Sequence, residues 1–258
     1  MDTIVAALTE QHEALDALIA GLDQDGWMTP SECPGWTLAD VVLHLAQTDE
    51  LAIASVEGRF AEELAELARG VAAALPGDRP NASVDEGVER LVASQRNVPG
   101  AQIGERWRTR AAELRDRLRD CDPHARLTWI TGEVAARTLA TTRLAEAWIH
   151  TTDVSIPLGS PPVAEERLWH IARLAWRTLP YAFAMGDRTL SGPVAFLLRG
   201  PGGASWDFVP EEPAVTTISG DALELCLVAG RRAAPHETGL RGEGPDADAV
   251  LELVRTYA

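Results

Sequence analysis

A chain of 258 residues with 46% hydrophobic and 24% charged side chains has globular composition and room for one large or two small domains, which excludes a disordered chain. Thirty-nine acidic against 23 basic residues leave a formal charge of -16, and no basic stripe offsets it, so nucleic acid and anionic membrane surfaces are excluded as partners. Every strongly basic side chain is arginine; without lysine there is no Schiff-base chemistry, no lysine-held pyridoxal phosphate and no P-loop lysine.

Ile4, Val5, Leu8, Leu15, Leu18, Ile19 and Leu22 recur mostly at helical steps and predict a first helix over 3–22. Residues 26–35 read as a loop. Thr37 then caps a second helix that carries Leu38, Val41, Val42, Leu45 and Leu51 on one side. Helical stretches follow over 60–75 and 84–93, separated by a Pro-Gly turn at 76–80, and another over 103–119 with Trp107, Leu114 and Leu118 on one face. A long periodic segment over 133–156 reads as the last helix of an up-and-down bundle.

The Pro- and Gly-rich stretch 157–162 is the best boundary, giving domains 1–158 and 159–258, with a helix over 163–184 joining the halves. Beyond it, 194–199 and 205–209 read as a β-hairpin joined through Gly200-Pro201-Gly202-Gly203. A further strand at 214–218, a helix opening at Ser219 or Asp221, a short strand at 240–242 and a helix over 246–257 complete a small α+β domain.

Cys33, Cys121 and Cys226 are odd in number and widely spaced, which argues against a disulfide framework or a thiolate zinc site and fits a reducing cytoplasm. The N-terminus has no signal-like pattern and no apolar run is long enough to span a membrane.

The most informative residues for chemistry are Glu146 and His150, which stand at i and i+4 on the last bundle helix, so that a carboxylate oxygen and an imidazole nitrogen can reach one ion. The same spacing serves an ordinary exposed helix pair. His44, among Val41, Val42, Leu43 and Leu45 on the second helix, is either a hydrogen-bonded core histidine or a third ligand facing the bundle interior. Two histidines and a carboxylate suit zinc with an open position and equally a non-haem iron. His12, on a charged face of the first helix, and His124 and His236, in loops, read as solvated or capping residues; His170 reads as packing against Trp169. The tryptophans read as core or pocket walls, and Cys33 as an inert buried thiol. There is no GxSxG nucleophile elbow.

Pro34-Gly35-Trp36-Thr37-Leu38-Ala39-Asp40-Val41-Val42-Leu43-His44-Leu45 resembles the second-helix signature of the mycothiol-dependent maleylpyruvate isomerase family, a branch of the DinB-like metal-binding four-helix bundles. Arg143 to Asp153 resembles its R-x-x-E-x-W-x-H-x-x-D pattern, and 217–225 with Gly230-Arg231 resembles its small C-terminal domain. The resemblance implies an α+β chain: a DinB-like up-and-down four-helix bundle followed by a small α+β domain. It also implies a divalent ion, zinc first with iron or nickel open, held by His44, Glu146 and His150, and mycothiol as thiol cosubstrate. Arg231 matches the family's C-terminal arginine and, in that role, is the catalytic residue that clamps a carboxylate, although a surface arginine after a helix end, beside Arg232, fits the sequence equally. Asp153 is expected to orient an imidazole and Arg143 to pair with a nearby carboxylate.

The resulting expectation is a metal-dependent isomerase or S-transferase acting, with a low-molecular-weight thiol, on a small carbonyl-conjugated electrophile. Two alternatives stand beside it: a thiol-independent metal hydrolase or lyase assisted by Asp49 or Glu50, and a non-catalytic metal-containing binding module. Oligomeric state is not readable from the sequence.

Overall fold

A computed structural model describes residues 1–74, 84–130 and 132–256 and shows a mixed α+β chain divided into two compact units. The first comprises Met1–Arg143 and His150–Pro161, the second Leu144–Ile149 and Pro162–Ala258.

In the first unit α1 (Asp2–Ile19) is followed by a single-turn α2 (Gln24–Trp27), capped by Asp23, where the sequence predicts a helix ending at 22 and a loop from 26. The long α3 (Leu38–Val56) comes next, then α4 (Phe60–Ala74), α5 (Val84–Ala93) and α6 (Gly100–Asp120). The turn predicted at 76–80 lies outside the described residues. A hairpin of β1 (Arg126–Trp129) and β2 (Gly132–Ala135) precedes α7 (Ala136–Ser155), of which Leu144–Ile149 belongs to the second unit. That hairpin corrects the prediction of helix from 133: Glu133 and Val134 pair with Thr128 and Leu127, and Gly132 turns the chain at φ +107.

Helix α3 is the centre of this unit, with every residue from Leu38 to Asp49 buried, as befits a helix apolar or small on most sides. It starts at a capping box, with Thr37 and Asp40 exchanging side-chain-to-backbone bonds at 3.3 and 2.9 Å. Against it lies the face of α6 made by Ile103, Trp107, Ala111, Leu114 and Leu118, all buried. Trp27 of α2 packs over the start of α6, where a Cβ on Gly100 would sit 2.3 Å from the indole.

The second unit contains α8 (Leu168–Arg177) and α9 (Leu179–Met185), where one helix is predicted; the chain breaks at Thr178, and Pro180, which has no N–H to donate, sits in the first turn of the new helix. The hairpin β3 (Val194–Arg199) and β4 (Ser205–Phe208) is joined by β5 (Thr216–Asp221) parallel to β3 and by β6 (Arg241–Glu243) antiparallel to β5, in the order β4-β3-β5-β6. Phe196 lies between Phe208 and Ile218 in register. Helices α10 (Ala222–Ala229), capped by Asp221, and α11 (Ala247–Leu253) complete the unit.

Candidate metal centre

His44 is placed by the buried middle of α3, and Glu146 and His150 by successive turns of α7. One ligand atom from each of the three lies within 4.8 Å of the others, near enough for one ion to reach them after small side-chain rotations. The two imidazoles meet edge to face, with ring centroids 4.8 Å apart, and His44 is 6% exposed. Two nitrogens and one carboxylate oxygen, from one buried and two half-buried residues, are donors of the type a divalent ion with an open coordination position takes, so the residues fit the group the resemblance implies.

Around this set the chain has built an outer layer. Asp153, fully buried, accepts the Nδ1–H of His150 at 2.9 Å, which leaves Nε2 as the free nitrogen of that ring. The Cys33 thiol donates to the same Asp153 oxygen at 3.0 Å, so Cys33 is half-buried and hydrogen-bonded rather than inert in the core. Cys33, His150 and Asp153 form a second ligand-type cluster that shares His150 with the first. Trp36 packs its indole on His44 with centroids 5.4 Å apart.

The loop carrying Cys33 and Trp36 is explained by its sequence. Pro34 and Gly35 occupy the central positions of a turn with Gly35 at φ +81, the left-handed geometry that favours glycine at the second central position, and the Trp36 N–H closes it on the Cys33 carbonyl at 3.0 Å. Trp36 Nε1 donates to Glu89 of α5, and Arg96 links Glu89 to Asp40 at the start of α3.

Arg143 finds its carboxylate in Asp49: Oδ1 accepts from Nε at 3.1 Å and Nη2 at 2.9 Å, and Nη2 also reaches Thr48. Glu50 is held by Arg106 and Arg110. The two acids that a hydrolytic reading needs are thus both paired with arginine. His12 departs from the solvated role expected of it: it is 3% exposed, accepts at Nδ1 from Arg115 at 2.7 Å and meets Trp107 edge-on. Burial first, then the charges of Arg115 and Arg143, hold it well below the ordinary histidine range. His170 packs on Trp169 as expected, and burial lowers it too.

In the second unit Arg231 is exposed, sits at φ +59 just past α10 and donates to the Glu252 carbonyl at 2.8 Å. Arg232, half-buried, donates to the Gly230 carbonyl at 2.9 Å.

Fold and site together define an α+β protein in which α3 and α7 bring together a His, Glu, His set. Residues 8–155 match the mycothiol maleylpyruvate isomerase N-terminal domain. Uncharacterized proteins of two Mycobacterium tuberculosis strains, CDC 1551 / Oshkosh and H37Rv, are each 33% identical over 257 residues, covering 98% of this chain and 95% of theirs. Crystal structures of the mycothiol-dependent maleylpyruvate isomerase and of a histidine-to-alanine mutant of it superpose with a TM-score of 0.59 over 95% of both chains, at 15% identity, which marks a shared fold. The chain belongs to the mycothiol-dependent maleylpyruvate isomerase family.

Proposed function

We propose that this protein is an enzyme that uses a mycothiol-type thiol at a divalent ion, zinc in the first instance, held by His44, Glu146 and His150, and acts on a small electrophile bearing a carbonyl-conjugated double bond. The observation that carries the reading is the convergence of two imidazoles and one carboxylate from α3 and α7, in a chain of this family. A bound divalent ion supplies positive charge that favours thiolate over thiol and polarises a carbonyl. The protein's own groups do the positioning. Asp153 fixes the tautomer and direction of His150, and Trp36 covers one side of His44. Arg143 neutralises Asp49, so no lone carboxylate is buried beside Thr48 at the level of the ligands.

The thiol chemistry balances without a further reagent. The sulfur of a thiolate forms a C–S bond to the β-carbon as the π-bond opens, rotation follows about the new single bond, and elimination restores the double bond and releases the thiolate. If the adduct takes up the thiol's proton at the α-carbon instead, the same first step ends as S-transfer. Arg231, exposed and held by one bond to a carbonyl, is the proposed partner of a substrate or thiol carboxylate.

A reducing compartment is the proposed setting, since Cys33, Cys121 and Cys226 are free and no helix among the described residues is long and apolar enough to cross a membrane.

The test is metal content by mass spectrometry of untagged protein purified without added metal, for the parent and His44→Ala, followed by titration with mycothiol. About one ion per chain, lost in the variant, with a thiol-induced change at a cobalt-substituted centre, is the expected result. A parent without stoichiometric metal overturns the reading in favour of a binding module, and turnover without thiol overturns it in favour of a hydrolase or lyase.

A further inference from the structure

We propose that Cys33 is a positioning residue of the metal centre: its thiol, acting through Asp153, holds His150 with Nε2 turned toward the ion, so the loop before α3 sets how tightly the centre binds metal. The inference rests on the metal reading above and adds to it a residue that is not itself a ligand. One oxygen of Asp153 receives both the Nδ1–H of His150, at 2.9 Å, and the thiol of Cys33, at 3.0 Å, while sulfur and Nδ1 stand 3.9 Å apart. Asp153 is fully buried, and the thiol holds the shared oxygen in line with the imidazole, so removing the thiol loosens the direction in which the carboxylate holds the ring.

The thiol is held in place from several sides. The Cys33 N–H donates to Ser31 Oγ at 3.2 Å, the turn through Pro34 and Gly35 closes on its carbonyl, and the Glu32 N–H donates to the Asp153 carbonyl at 3.2 Å. The loop is thus docked on both the backbone and the side chain of Asp153. Three residues on, the same loop lays Trp36 against His44. A single short stretch, fixed by its proline and glycine, touches one histidine directly and the other through a carboxylate. Groups in this outer position tune metal affinity by keeping the ligating nitrogen aimed and basic.

The experiment compares the full-length parent with Cys33→Ala and Cys33→Ser by zinc titration against a chromophoric chelator, by the cobalt(II) absorption spectrum, and by nitrogen-15 histidine spectra of the metal-free proteins. Zinc affinity is expected to fall about tenfold in Cys33→Ala and to stay within about threefold of the parent in Cys33→Ser, whose hydroxyl keeps the donor. The metal-free spectra are expected to show His150 protonated at Nδ1 in the parent and in Cys33→Ser, and a mixture of tautomers in Cys33→Ala. Serine and alanine variants that lose affinity equally would reduce Cys33 to packing and overturn the proposal. So would a sulfur-to-cobalt charge-transfer band lost in Cys33→Ser, which would make the thiol a ligand, or an unchanged affinity and tautomer in Cys33→Ala. If the parent takes up no zinc, the metal reading fails by itself; the tautomer comparison then decides the role of Cys33, and an unchanged His150 ring overturns it.

Discussion

Asp49 and Arg143 are each 1% exposed and face each other across α3 and α7, one carboxylate oxygen accepting from two guanidinium nitrogens at 2.9 and 3.1 Å. The pair ties the helix that carries His44 to the one that carries Glu146 and His150. Its worth lies in the penalty for breaking it, because a lone buried charge has no water to return to. Asp49→Ala should cost about 3–5 kcal/mol in urea unfolding. The double variant Asp49→Leu with Arg143→Met should recover most of that loss. A double variant no more stable than the single one would mean that the pair contributes through attraction and not through mutual neutralisation.

His12 gives the fold an acid-sensitive joint. Arg115 from α6 donates to its Nδ1, Arg143 from α7 adds positive charge, Trp107 closes the side, and burial leads in holding it well below its ordinary value. In the unfolded chain it protonates near pH 6.5, so between that value and its lower folded value the unfolded state binds more protons. Stability from this group is therefore complete above about pH 7 and falls as the pH drops, by at most about 1.4 kcal/mol per unit. Urea midpoints of the parent and His12→Gln between about pH 5 and 8 should converge toward acid. Parallel curves would show that His12 takes up its proton over the same pH range in the folded and the unfolded chain.

A ligand that binds only the folded state raises the unfolding midpoint. At about a thousandfold excess over its Kd, zinc should stabilise the parent by about 4 kcal/mol, or on the order of 10 °C for a chain of this size. His150→Ala and Glu146→Gln should lose most of that shift while unfolding near the metal-free parent temperature. A zinc shift in both variants as large as the parent's would place the ion elsewhere in the molecule.

The parts of the site that local sequence patterns govern were legible. The Thr37 cap, the loop ending at Gly35 and the Glu146 and His150 spacing each depend on residues close together in the chain, whereas the return bond from Asp40 was not read. What was missed depends on distant chain. Glu10, Glu13 and Asp16 place His12 on a charged face, yet Leu8, His12, Leu15 and Ile19 at four-, three- and four-residue steps all lie buried. That series was the available signal, and Arg115, far along the chain, is what makes a buried imidazole there tolerable. The β1–β2 hairpin was missed because Glu133 to Ala135 also continues the periodicity of α7 backwards. Asp49 and Glu50 looked available because their arginine partners lie on α6 and α7, far from them in sequence.

Arg231 offers a separation of stability from function. It follows α10 in the left-handed conformation, with its N–H on the Val228 carbonyl at 3.0 Å and the Arg232 N–H on the Leu227 carbonyl at 2.8 Å, the helix ending in which glycine is the usual residue. A side chain there costs about 1 kcal/mol that glycine would not. The one bond its guanidinium makes, to the Glu252 carbonyl, is exposed and offsets part of that. Arg231→Gly should therefore unfold at the same urea concentration as the parent or slightly above it. If the strained arginine is kept to hold a carboxylate, kcat/KM for a carboxylate-bearing electrophile should fall at least about tenfold in the same variant, the loss of one charged hydrogen bond. Arg232→Ala should do the reverse at the folding level, because its half-buried guanidinium supports the Gly230 carbonyl at the end of α10. Full activity in Arg231→Gly would remove Arg231 from the reaction and leave its conformation as a feature of the helix end alone.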